Sequence, residues 1–300
     1  MPSSPSPAEQ EGRVVSGHGR HVVVEGQEGQ RVLCHSRGKK SECVVGDRVR
    51  WLASADEGVI EAVLPRRTLL YRQDAWKTKA FAANIDQILF VVAAEPVFSE
   101  SQLARALIAA SAAKIPARIV LNKQDLPAFA AAELRLASYS ATGVEVFGVA
   151  LKKNAARAAS RLAPLLADKV TLVLGPSGAG KSTLVNLMVA DAAAQVGEIS
   201  AALNTGRHTT TATHWYWIDK ERRSALIDSP GFQEFGLHQI APNELAALMP
   251  DLAPHTSACR FYNCTHVHEP GCGVLAALER GEIAATRYRI YREILAELQR

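Results

Sequence analysis

The chain has 300 residues, 48% of them hydrophobic, which suits two or three domains with real cores. No apolar run approaches the roughly 20 residues that span a bilayer, and the opening MPSSPSPAEQEG lacks the apolar stretch of a signal peptide, so a cytoplasmic protein without a membrane partner is expected. A net charge of +4, with neither end a polybasic arm, makes only a weak case for nucleic acid.

The polar, Pro/Ser-rich residues 1–12 read as a disordered tail. Residues 13–67 break into five short strand patterns (13–15, 21–25, 31–34, 47–52 and 58–63) separated by Gly-rich or charged turns. Five strands in so short a stretch fit a small β-barrel of the OB-fold kind, which binds oligonucleotides on one face. The loop Ser36-Arg37-Gly38-Lys39-Lys40 is a candidate contact, and equally an ordinary solvated turn. From about residue 84 strands alternate with helices, so 68–240 is expected to be a doubly wound α/β domain with ligands at the carboxyl ends of its strands. Ile85–Ala93 reads as a strand buried on both faces. After it come helix 101–113 with Ser99 or Ser101 as cap, strand 117–121, helix 128–137, strand 144–150, helix 154–166 and strand 169–174. A helix at 183–190 and a hairpin of strands 215–219 and 224–227 complete the domain, and 241–300 turns helical.

The first motif along the chain is Asn122-Lys123-Gln124-Asp125, following strand 117–121. A carboxylate at Asp125 accepts from guanine N1–H and its exocyclic amine together; adenine would leave it unpaired, which is costly in a closed site. Four-residue matches of this kind are common, so the motif gains weight only beside a phosphate site. That site is Gly175-Pro176-Ser177-Gly178-Ala179-Gly180-Lys181-Ser182, a GxxxxGK[ST] loop between a buried-strand pattern and a helix. Its glycines let successive backbone N–H groups turn toward phosphate oxygens, and the helix N-terminus adds its dipole. Lys181 is expected to reach the β- and γ-phosphates, and the Ser182 hydroxyl to ligate Mg²⁺.

Further on, Gly206-Arg207-His208-Thr209-Thr210-Thr211 suits a switch loop in which Thr210 closes over Mg²⁺. Asp228-Ser229-Pro230-Gly231 is a DxxG segment: Asp228 holds Mg²⁺ through a water, and the Gly231 N–H senses the γ-phosphate. The base-reading motif thus precedes the phosphate loop, the reverse of the usual order. A parallel sheet tolerates this, since the loops leave one edge and need only meet in space. The segment after DxxG then leads directly into the C-terminal part, through which nucleotide state can pull on that neighbour. Where Ras-type sites carry a water-orienting glutamine, this chain has Phe232, so slow intrinsic hydrolysis is expected. His208 is the in-chain candidate for ordering the water, its rival a group supplied by a partner.

Cys259, Cys264, His266 and Cys272 give C-x4-C-x-H-x5-C, a closed tetrahedral shell for one structural Zn²⁺, with His268 a spare within reach. Cys34 and Cys43 are read as small buried residues of the barrel.

With these motifs in place, the chain resembles the small-subunit-dependent ribosomal GTPase A (RsgA) family from about residue 13 to 295. The marks are Ala82-Ala83-Asn84-Ile85-Asp86-Gln87, the permuted motif order, GRHTTT, and the cysteine cluster with Glu269-Pro270-Gly271. The resemblance implies an OB-fold barrel, a circularly permuted P-loop GTPase domain and a helical zinc-binding domain. It implies GTP hydrolysis stimulated by the small ribosomal subunit during late maturation, with barrel and zinc domain on ribosomal RNA. By position, Asn122, Lys123 and Asp125 fall to guanine and Gly175 to Thr183 to phosphate. Cys259, Cys264, His266 and Cys272 fall to zinc, in preference to His268, and His208 to hydrolysis. Many GTPases carry Ser-Ala in the loop after strand 144–150; here Val149-Ala150-Leu151-Lys152 stands there, so its base contact is expected from backbone. A monomer is expected. The rival readings are a GTPase regulating another translation factor or RNA partner, and a nucleotide-gated RNA-binding module without turnover.

Overall fold

Alternating exposed and buried side chains along Arg48, Val49, Arg50 and Trp51 show how the N-terminal strands form one inward face. The computed structural model describes residues 9–18, 21–37, 43–53, 57–74, 77–192, 195, 213–229, 235 and 237–300. Strands β1 (Glu9–His18), β2 (His21–Gly26), β3 (Arg31–Ser36), β4 (Arg48–Leu52) and β5 (Gly58–Val63) pair in the cyclic order β1-β2-β3-β5-β4-β1. Among the described residues, only β3 and β5 run parallel within this barrel. Val14, Val22, Val24, Cys34, Val49, Trp51 and Ile60 fill it.

The expected tail at 1–12 is corrected at its end: Glu9 to Gly12 pair with Leu52 to Val49, because closing the barrel requires a partner for β4. Gly12 permits the closure, since a Cβ there would meet Val24 Cγ1 at 2.5 Å. Residues 1–8 lie outside the described residues, as do Gly38, Lys39 and Lys40 of the candidate contact loop.

A hairpin of β6 (Leu69–Asp74) and β7 (Lys77–Ala83) follows, forming a separate two-stranded sheet. No strand pattern is expected there from sequence, and the pairing shows why: Leu70 opposes Ala82 and Tyr71 opposes Ala80, so Phe81 is an extra residue that breaks the alternation within β7. The joint between barrel and α/β domain uses the Ala82–Gln87 segment. Ala83 N–H donates to Val45 O, and Asn84, at φ 56°, donates from Nδ2 to Gly46 O while its Oδ1 accepts from Arg67 N. Asp86 accepts from Arg67 and from Val170 N, and Gln87 Nε2 donates to Leu165 O and Thr171. These residues are therefore held by polar bonds, and the next strand begins only at Gln87.

That strand, β8 (Gln87–Ala93), is buried throughout and is one of the two central strands of the sheet β10-β9-β8-β11-β13-β12. β9 (Ala117–Asn122), β10 (Val146–Gly148), β11 (Val170–Leu174) and β13 (Ala225–Asp228) run parallel to it, and β12 (His214–Trp217) antiparallel to β13. Helices α1 (Glu100–Ala112), α2 (Phe129–Ala141), α3 (Ala155–Leu166) and α4 (Lys181–Met188) complete the unit. Ser99 caps α1 by accepting from Gln102 N. Two apolar clusters cover the two faces of the sheet, one with α1 and α2, the other with α3 and α4.

The C-terminal residues form short turns and helices Gly273–Glu279 and Ala285–Leu298. They are fastened to the α/β unit by Arg287, only 3% exposed, which forks onto Asp251 at 2.7 and 3.0 Å and lies 4.4 Å from the Tyr139 ring of α2. Arg105 of α1 pairs with Glu297. A buried pair that loses one member strands the other charge, so Arg287→Ala is expected to cost about 3–5 kcal/mol. Urea unfolding checks this, and a loss below about 1 kcal/mol would mean the buried Arg287 cluster does not anchor the C-terminal residues.

Candidate nucleotide site and metal centre

The carboxyl ends of β9, β11 and β13 carry the three motifs to one edge of the sheet. At β9 the buried Asn122 donates from Nδ2 to Ala179 O of the phosphate loop at 2.9 Å. Its Oδ1 accepts from Lys123 N at 2.7 Å and from Leu151 N at 3.1 Å. One side chain thus ties together the base-reading motif, the phosphate loop and the loop after β10, which are distant in sequence. Gly180, at φ 108°, is required here: a Cβ would stand 2.3 Å from Asn122 Nδ2.

Asp125 lines a cleft of about 240 Å³ with Gln124, Gly148, Val149, Ala150 and Lys153, a concave site walled on its other side by Arg157 and Arg161 of α3. Gln124 N–H donates to Val149 O, fixing the two walls. Leu151 N–H is committed to Asn122, so Val149 and Ala150 are what the loop presents to the cleft. Lys123 takes a left-handed backbone, φ 66°, and its ammonium reaches Glu95 O.

The phosphate loop leaves β11 at Gly175, where a Cβ would meet Val91 O at 2.0 Å. Pro176, Ser177, Gly178 and Ala179 carry the turn to α4, whose first turn holds Lys181, Ser182 and Thr183. Lys181 Nζ donates to Gly175 O at 2.8 Å and to Pro176 O at 3.1 Å. Burial lowers its pKa, an effect the Asp228 carboxylate opposes. Asp228 is shifted up by burial, against the pull of Lys181 and the Ser229 N–H. Its Oδ1 is buried without a hydrogen-bond partner among the described residues. An orphaned carboxylate oxygen beside the phosphate loop fits a hydrated Mg²⁺. His208, Thr210, Gly231 and Phe232 lie outside the described residues.

In the C-terminal unit, the ligand atoms of Cys259, Cys264, His266 and Cys272 all lie within 4.8 Å of one another. His266 Nδ1 is 3.4 Å from the sulfurs of Cys259 and Cys272, and those sulfurs are 3.9 Å apart. A Zn²⁺ tetrahedron with Zn–S of about 2.3 Å and Zn–N of about 2.0–2.1 Å has edges of roughly 3.5–3.8 Å, so the donor set fits. His268 is exposed and outside the cluster. All five cysteines are free thiols. Around the cluster, Gly273 N and Leu275 N donate to the Cys259 and Cys272 sulfurs, and Tyr288 and Tyr291 hydroxyls donate to His266 O and Thr265 O. Burial works against the Glu269 carboxylate, but bonds from the Thr265 hydroxyl and N–H and from His268 N–H hold its pKa well below the usual range.

Comparisons with known proteins agree on one family. The RsgA GTPase family model matches residues 63–238. "Small ribosomal subunit biogenesis GTPase RsgA" of Variovorax paradoxus is 59% identical over 293 residues, covering 96% of this chain and 92% of the relative. The protein of that name from Burkholderia pseudomallei is 52% identical over 290 residues, with the same coverage of both chains. The chain belongs to the RsgA GTPase family. The crystal structure of YjeQ from Thermotoga maritima superposes with a TM-score of 0.72 at 30% identity, covering 97% of this chain and 99% of that one. YloQ, described as a circularly permuted GTPase, gives 0.70 at 26% identity, covering 100% and 98%.

In this RsgA GTPase the sequence had understated Asn122, whose side chain braces three loops. Its position at the end of a buried strand was the available signal. For the metal, burial pushes the Cys264 thiol up to about 12 and raises Cys272 as well, so without metal both hold their protons at neutral pH. Zinc binding then releases protons, and affinity is expected to fall as pH drops from 8 to 6. Elemental analysis should find one zinc per chain, lost in Cys272→Ser; full zinc content in that variant would exclude the four-ligand centre.

Proposed function

We propose that this GTPase hydrolyses GTP to GDP and phosphate in late maturation of the small ribosomal subunit, in the cytoplasm and as a monomer. The relatives' names carry the subunit, and the Asn122–Ala179 bond carries the hydrolytic site, because it joins a guanine reader to a phosphate cradle. Asp125 accepts from guanine N1–H and the 2-amino group, while Asn122 and Lys123 hold the pocket around the base. Lys181 exchanges the Gly175 and Pro176 carbonyls for β- and γ-phosphate oxygens, and backbone N–H groups from Gly175 to Thr183 take the rest. Ser182, Thr210 and Asp228, the last through a water, would hold Mg²⁺, whose charge offsets that developing on the phosphates. His208 orients the attacking water, since Phe232 has no group to do so.

For ribosomal RNA, the zinc loop offers the exposed rings of Phe261 and Tyr262, with the Arg260 guanidinium 5.5 Å from the Phe261 ring. Aromatic rings and guanidinium planes are surfaces on which unpaired bases stack. Exposed arginines of the barrel are neutralised by neighbours (Arg37 by Glu61, Arg48 by Glu11), so its contribution depends on exchanging those weak surface pairs for phosphates.

Turnover with purified small subunits separates the roles. Lys181→Ala is expected to lower kcat/KM by about 10²-fold or more, with weakened GTP binding. His208→Ala should reduce subunit-stimulated kcat comparably with GTP affinity kept. Phosphate release from wild type that ignores added subunits would sink the ribosomal reading, and unchanged turnover in His208→Ala would end its catalytic role.

A further inference from the structure

The base-reading motif follows β9 and the phosphate loop follows β11, and β8 lies between those two strands. The turn that leaves β8, at 94–98, stands against both motifs. Ala93, the last residue of β8, is the register partner of Asn122, and Ala94 N–H donates to Asn122 O at 3.1 Å. The next carbonyl, Glu95 O, accepts from the Lys123 ammonium. Pro96 faces the phosphate loop: its Cδ lies 3.5 Å from where a Cβ on Gly178 would stand. Glu95, Pro96 and Val97 are all exposed, so the core does not hold this turn in place.

Its far end is held from α2. Phe98 is buried, and the Arg135 guanidinium lies 4.5 Å from its ring. Arg135 Nη2 donates to Phe98 O at 2.8 Å, and Nε donates to Glu100 Oε1 at 3.0 Å. One helical turn further along α2, the Tyr139 hydroxyl donates to Glu100 O at 3.1 Å. The rigid fork of a guanidinium fixes two acceptors at once, and here they lie on either side of Ser99, where the turn becomes α1. The charge pair with Glu100 is partly exposed and weak by itself. What Arg135 adds is a fixed distance between α2 and the turn.

We propose that Arg135 is a positioning residue for nucleotide binding, acting through the turn at 94–98 on Lys123 and on the phosphate loop at Gly178. Those two points serve opposite ends of the nucleotide, the base and the phosphates. A turn that supports both keeps the two grips at one separation before the nucleotide arrives, and such preorganisation shows as affinity. Lys181, Ser182 and Asp228, which face the reacting phosphate and Mg²⁺, make no bond to Arg135 or to this turn among the described residues. Releasing the turn therefore costs binding and spares the chemical step. This inference rests on the GTPase reading and extends it to a helix outside the site.

The variant Arg135→Met tests it in the full-length protein. Methionine keeps an unbranched apolar stem against the Phe98 ring but donates to neither oxygen, and Glu100, partly exposed, can turn to water. Arg105→Met is the control: it removes another arginine–glutamate pair of α1, the one with Glu297, without touching the turn. Release of N-methylanthraniloyl-GDP in the presence of Mg²⁺ is followed by fluorescence, alongside steady-state GTP turnover. Arg135→Met is expected to release the nucleotide on the order of tenfold faster and to raise KM for GTP in step, with kcat within about twofold. Arg105→Met should match wild type. Unchanged release from Arg135→Met overturns the inference. So does a fall in kcat parallel to the loss of affinity, or equal acceleration in Arg105→Met, since either marks general loosening around α1. Should wild type ignore small subunits while Arg135→Met still releases GDP faster, the ribosomal reading fails and this one stands.

Discussion

The site depends on the meeting of three chain segments at one edge of a parallel sheet, and on the hydrogen bonds Asn122 makes once they are there. Parallel strands all present their carboxyl ends to the same side, so convergence of loops is a property of the sheet and not of chain order. Asn122 converts convergence into fixed geometry. Its amide spans the phosphate loop, and its carbonyl oxygen binds the backbone on either side of the base cleft. Gly180 has no side chain because that amide occupies the space. Permutation of the motifs costs nothing at this point, since none of the three bonds refers to what lies between the motifs.

The two flanking units are attached by different chemistry, with different consequences. The C-terminal unit is held through Arg287, Asp251 and Tyr139, a buried cluster on the α1–α2 side and away from the nucleotide edge. The barrel is held through the pairing of Ser16 with His214, next to that edge, and through the Glu25–Arg31–Trp217 bonds at the opposite end of β12. A load on the barrel is therefore felt by β12 and β13 first. The zinc cluster has its own brace in Tyr288 and Tyr291 of the last helix, which fixes the loop bearing Phe261 and Tyr262 to the docked unit.

Much of this was legible in the sequence because its signals are local. The phosphate loop, the base-reading motif and the cysteine spacing each fix chemistry within a few residues, and the buried run now assigned to β8 announces itself by composition. The barrel's strands were visible through alternation, but its closure was not. Glu9 to Gly12 look like tail until β4 supplies the partner. The β6–β7 hairpin escaped because a bulge at Phe81 of β7 breaks the period on which strand reading relies. The Ala82–Gln87 segment could be named as a mark of the family, yet only the structure explains it, through Asn84 and Asp86 bonding across the joint. Nor could spacing choose between His266 and His268. Burial of the first among the sulfurs, and exposure of the second, decide it.

The central claim is that one pocket holds guanine at Asp125 and phosphates at Lys181, braced by Asn122. Calorimetric titration of the wild-type protein with GDP and with ADP in the presence of Mg²⁺ tests it most directly. The account predicts that GDP binds at least about 10³-fold more tightly, because adenine leaves the Asp125 carboxylate without its two donors. Equal affinity for the two nucleotides, or binding of neither, would contradict it.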